Sequence, residues 1–118
     1  MAVSPIVEKI DHFVHEVYRL SRSFPKEETF SVTSQLRRAS LSIVLNVIEG
    51  FARQKPGEYE HFLNIAYGSF KETKYLIHFA YKENYLDATS YTILIKQADE
   101  IGKLLWTMAQ KVKRKNKK

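Results

Sequence analysis

The side chains with most to offer chemically lie in one stretch, SQLRRASLSIVLNVIEGFAR (residues 34–53), where polar groups recur inside an apolar run. Wound as a helix at about 100° per residue, Gln35, Arg38, Ser42, Asn46, Glu49 and Arg53 fall within an arc of about 80°. Two arginines and an amide on one stripe can take phosphate oxygens or base edges in a groove or pore. The same residues can instead pair with groups on neighbouring helices, such as Glu72 or Asn64, and fix register. Opposite charges along a single stripe favour the structural role for Gln35, Arg38, Asn46, Glu49 and Glu72.

A second concentration lies in the last eight residues, KVKRKNKK, with Lys111, Lys113, Arg114, Lys115, Lys117 and Lys118. Setting these six aside leaves 13 basic residues against 13 acidic ones, so the whole net charge of +6 sits in this segment. A basic tail holds RNA or DNA through phosphate contacts that read no sequence. Alternatively it solubilises a helix end, where cations also suit the helix dipole. Arg53 and Lys55 are further candidate cations for nucleic acid.

Other chemistry finds little support. A di-metal site in a helical bundle needs Glu-x-x-His twice and two further glutamates. Here Glu58 and His61 supply that pattern once, and His12 and His15 lack a matching carboxylate set. Ser40 and Ser42 have no histidine at an evident spacing and suit helix packing better than nucleophilic attack. His78 reads as an ordinary packed or exposed histidine, and no Gly-rich phosphate loop follows a strand. There is no cysteine, hence no disulfide framework and no thiolate metal site, which fits a reducing cytosol. No catalytic residue, metal or cofactor is expected.

The elements that must position these residues follow from apolar periodicity. Ile6, Ile10, Phe13, Val17 and Leu20 mark a first helix that stops before Pro25. A second runs from about Val32 to Ala52. The third opens at Pro56, a good first-turn residue, and carries Tyr59, Phe62, Ala66, Phe70, Thr73, Ile77 and Ala80. The fourth starts near Asp87, an N-cap, and its Tyr91, Leu94, Ala98, Ile101, Leu105, Met108 and Val112 alternate three and four apart, the seam of a packed bundle. No segment alternates at period two. With 118 residues and 44% apolar content, the expected fold is all-α. It is an antiparallel up-down four-helix bundle over residues 1–112, with a basic tail over 113–118. MAVSPIVEKIDHF does not resemble a signal peptide, and no window approaches the roughly 18 apolar residues of a membrane span. A cytoplasmic protein without membrane association is expected.

The second helix is apolar on two adjoining faces. Leu36, Ala39, Ile43, Val47 and Gly50 share one, and Leu41, Val44, Ile48 and Phe51 make the other. One face serves the bundle core, and an exposed second face of this kind marks an interface. Leu41, Val44, Ile48 and Phe51 are therefore the candidate seam of a homo-oligomer.

Taken together, VYRLSRSFPKEETFSVTSQLRRASLSIVLNVIEGFARQ and EYEHFLNIAYGSFKET resemble the family of 23S rRNA intervening-sequence proteins. The hallmarks land on Phe24, Pro25 and Glu28, on Gln35 to Ala39, and on Asn46, Glu49 and Gly50. They continue on Phe62, Leu63, Ile65, Ala66, Gly68, Ser69 and Glu72. The resemblance implies an antiparallel four-helix bundle that assembles as a ring-like homopentamer. It also implies an architecture similar to the accessory protein of diversity-generating retroelements, which works with a reverse transcriptase. RNA or DNA binding, without enzymatic activity, is the role the resemblance suggests. A scaffold that docks a nucleic-acid enzyme is the alternative. The chain departs from the family pattern at Val44 and Ile48, where proline and alanine are common, and at Tyr67, where a cation is common. Lys55 replaces a capping Ser or Thr, which breaks the box that Glu58 would complete. The usual tryptophan of the first helix is absent.

Overall fold

The computed structural model describes residues 4–116 and contains four α-helices, with no strand among them. Helix α1 spans Pro5–Ser21, α2 Val32–Phe51, α3 Pro56–Lys82 and α4 Ala88–Asn116, and a 3₁₀ turn at Lys26–Glu28 lies between α1 and α2. Among the described residues no helix is long and apolar enough to cross a membrane.

Local chemistry sets the ends. The Ser4 hydroxyl accepts from the Val7 N–H (3.2 Å) and Asp87 Oδ1 from the Ser90 N–H (2.7 Å), capping α1 and α4. Lys55 precedes α3 with no side-chain cap, in keeping with the broken box. Asn84 ends α3 in the left-handed region at φ 64°, which Asn tolerates better than most residues. The Tyr85 N–H reaches the Ala80 carbonyl (2.8 Å) and the Asn84 N–H the Tyr81 carbonyl (3.0 Å), the paired bonds of a Schellman motif.

The helices pack as a ring in chain order, each on two neighbours, with no close approach across either diagonal. Numbers rise along one helix as they fall along the next. Gln35 meets Glu72 and Ser42 meets Ser69 between α2 and α3. Lys74 meets Asp99 and Tyr67 meets Trp106 between α3 and α4. The expected seams fill the centre: Ile10, Phe13, Val17, Leu36, Ile43, Val47, Ile77, Leu94, Ile101 and Leu105 are all fully buried. Each large apolar side chain so buried contributes about 1.5–3 kcal/mol before chain entropy is set against it. Leu63 lies outside the expected seam of α3 and is also fully buried.

Antiparallel order brings the end of α2, the start of α3 and the end of α4 to one end of the bundle. Helix α4 continues through Asn116, so Lys113, Arg114 and Lys115 are in its last turn. Lys117 and Lys118 lie outside the described residues.

Candidate nucleic-acid interface

The polar stripe of α2 is turned mostly toward α3. Gln35 Nε2 donates to Glu72 Oε1 (3.0 Å), and the Ser42 and Ser69 hydroxyls share a hydrogen bond of 2.8 Å. Asn46 Nδ2 donates to the Ser42 carbonyl (2.8 Å) and hydroxyl (3.0 Å) on its own helix. Thr73 Oγ1 donates to the Ser69 carbonyl (2.7 Å), which completes a short polar ladder along the seam.

The charged members meet the expectation only in part. Glu49 pairs with Arg53 one turn on along α2, their side chains 47% and 38% exposed, and only Arg53 reaches a neighbouring helix. Arg53 also lies 3.6 Å from Glu58 and over the Phe62 ring, 4.9 Å from its centroid. Arg38 is exposed and makes no hydrogen bond or ion pair among the described residues, and Asn64 is likewise exposed. The reason is position: Arg38 and Glu49 lie at the outer edge of the stripe, where the α2–α3 groove opens to water.

On the outward side of α2, Leu41, Ile48 and Phe51 are 39%, 47% and 45% exposed. Val44, expected beside them, is instead buried in the core. It shares an arc of α2 with Arg37, whose Nε donates to Ser21 Oγ (2.8 Å) and whose Nη2 donates to the Tyr18 carbonyl (3.3 Å) on α1. Helix α1 therefore covers this arc as far as Val44, while Ile48 and Phe51, further along α2 on the same arc, stay exposed. Leu45 (55% exposed) and Ile65 of α3 (39%) belong to the outward surface in its place.

Three of the candidate cations converge. A cleft of about 400 Å³ at the end of the bundle is lined by Arg53, Lys55, Lys115, Phe51, Tyr59 and Val112, among others. Phe51 and Tyr59 form its aromatic side, their ring centroids 5.9 Å apart, and burial pushes the Tyr59 hydroxyl pKa upward. Asn116 Nδ2 donates to Glu60 Oε1 (2.8 Å) and ties the end of α4 to α3. Lys111, Lys113 and Arg114 are exposed and do not line the cleft. The site offers Lys55 and Lys115 beside an aromatic surface, with Arg53 already paired to Glu49 and Glu58.

The other candidates stay apart. His15 lies 3.4 Å from Asp11 on the surface of α1, and His61 packs edge-on against Phe62. Sequence reasoning passed over Trp106, which is 53% exposed on the α3/α4 flank. The signal available was its place about 100° to the side of the Leu94–Ala98–Ile101–Leu105 seam, with Lys103 one turn away.

A ring of four antiparallel helices, with a polar α2–α3 seam and a basic end, defines a small helical-bundle class. Within it, residues 4–107 match the 23S rRNA-intervening sequence protein family, and the chain belongs to that family. It is also similar to a crystal structure of a protein with unknown function from the S23 ribosomal protein family of Bacteroides thetaiotaomicron. The TM-score is 0.81 at 25% identity, over 88% of this chain and 97% of that one. No curated protein matches the chain.

Proposed function

We propose that this chain is a non-enzymatic, self-associating bundle that binds RNA or DNA through the cations at one end. The observation that carries the reading is the convergence of Arg53, Lys55 and Lys115 on a single cleft, beside the last turn of α4. Outside its last eight residues the chain is formally neutral, so the tail dominates long-range attraction to phosphate and Arg53 and Lys55 act only locally. Self-association, as a pentamer by family resemblance, is supported by the outward apolar surface of Leu41, Leu45, Ile48 and Ile65.

A salt titration tests the function. Each phosphate neutralised on a single strand adds about −0.7 to the log–log slope of affinity against salt. Replacing Lys113, Arg114 and Lys115 with glutamine should flatten that slope and weaken binding while helicity is kept. Equal binding by the variant at every salt concentration would remove the basic end from the account. A second reading, an accessory subunit that docks a nucleic-acid enzyme, is favoured by Phe30, which stands 96% exposed before α2. It takes over if the full chain binds neither RNA nor DNA at low salt.

A further inference from the structure

The α3/α4 flank carries an exposed tryptophan and two lysines, Lys71 and Lys103, that the basic end does not use, and it runs on into Lys113 and Arg114 of that end. The Trp106 indole leans on Tyr67 (ring centroids 5.8 Å apart, 50° between planes), and Tyr67 leans on Phe70 (5.5 Å, 47°). Phe70 is buried, and its ring sits against Gly102 on α4. Two rings in series thus fix the indole from below, while 53% of Trp106 stays in water. A shallow depression of about 470 Å³ lies in front of it, lined by Tyr67, Lys71, Lys74, Asp99, Lys103 and Trp106, among others.

The charge around the ring is unevenly spent. Lys74 is held by Asp99 at 2.7 Å. Lys71 and Lys103 are exposed and make no ion pair among the described residues. At about 100° per residue, Lys103, Trp106, Gln110, Lys113 and Arg114 fall within an arc of about 100° on α4. From Lys103 to Arg114 this face extends about 16 Å at the usual helical rise. It is a basic track with one exposed aromatic ring in it.

Such a combination suits an unpaired strand better than other occupants. An apolar protein surface over Trp106 would strip water from the ammonium groups of Lys71 and Lys103 without replacing it. A duplex keeps its base planes stacked on one another and has none to offer the indole along its length. A single strand offers both a base plane for the ring and phosphates for the lysines. We propose that the α3/α4 flank binds single-stranded nucleic acid, one base stacking on Trp106 and the adjoining phosphates lying on Lys71 and Lys103. The proposal rests on the nucleic-acid reading above and narrows it to single strands.

Trp106 is the one tryptophan of the chain, so its fluorescence reports on this flank directly. The full-length protein is titrated at low salt with a short single-stranded RNA, the DNA of the same sequence, and the corresponding duplexes. Binding is followed in parallel by anisotropy of a label on the nucleic acid. The expected result is saturable quenching by one or both single strands, with the RNA and DNA arms showing which sugar is preferred, and little quenching by duplex. Trp106→Leu should weaken single-strand binding about tenfold or more, and Trp106→Phe much less. Lys71→Gln with Lys103→Gln should flatten the single-strand salt slope by about 0.7 for each phosphate that is no longer neutralised. Single-strand binding without quenching, and equally tight in Trp106→Leu, overturns this inference and leaves the basic end in place. Equal quenching by duplex overturns the preference for unpaired strands. If no nucleic acid binds at low salt, the broader reading and this one fail together.

Discussion

Between α3 and α4 the Phe70 ring occupies the space where a side chain at position 102 would go, so glycine there sets how closely the two helices pack. A Cβ at Gly102 would overlap that ring. Gly102→Ala gains up to about 1 kcal/mol in helix propensity, but overpacking a core costs about 1–3 kcal/mol. The expected net result is a loss of about 1 kcal/mol, read as a lower urea midpoint at constant slope. Adding Phe70→Leu should recover part of it, and no change in Gly102→Ala alone would mean that the ring moves aside at little cost. The opposite result is expected at Glu49. Its pair with Arg53 is exposed and one turn apart on the same helix, so Glu49→Ala should cost only about 0.5 kcal/mol. A loss of several kcal/mol would mean that the pair is buried in an assembly.

Each element shows a different degree of legibility. The periodicity of α4 named its buried residues correctly from Leu94 to Leu105, because one stripe faces one core. Helix α2 was harder, since residues that face α1 and residues that face outward are equally apolar. Val44 is covered and Leu45 is left 55% exposed, and composition does not encode which of two apolar side chains a neighbour covers. The cleft was legible as three separate cations but not as a site, because Lys115 meets Arg53 and Lys55 only through the antiparallel order of the helices. The turn contacts were not legible either. The Tyr85 hydroxyl, at the α3–α4 turn, donates to Glu28 Oε2 (2.6 Å) in the 3₁₀ turn, and the carboxylate pushes its pKa up to about 12 from 10.0. A pKa raised on folding stabilises the protein below the unfolded value, and that contribution disappears as pH rises through the folded value. The stability gap between the natural chain and Tyr85→Phe should therefore be constant below about pH 10 and close by about pH 12. Denaturant melts across that range would show it, and a gap that persists past the upper limit would count against the contact.

For the whole molecule, the proposed assembly and the proposed binding should be coupled, and the coupling can be measured. The outward surface of α2 and α3 meets the basic end at Phe51, but Ile48 does not line the cleft, so it can be altered alone. Ile48→Glu puts a charge on the outward apolar surface and should dissociate the proposed oligomer into helical monomers, seen by light scattering with the circular dichroism spectrum retained. Each monomer keeps Arg53, Lys55 and Lys115 and should bind a short oligonucleotide with nearly the affinity of one subunit. On a long strand the two proteins should part company. An oligomer presents several basic ends to one strand, and each contact after the first is intramolecular, which can raise apparent affinity by about 10²–10⁴. The salt slope should also be steeper for the oligomer, since more phosphates are neutralised per bound particle. The expected outcome for Ile48→Glu is thus near-unchanged binding to short strands, a large loss on long ones and a shallower slope. Equal loss on both lengths would place part of the binding surface at the subunit seam. If Ile48→Glu left the particle size unchanged, the seam would lie away from α2.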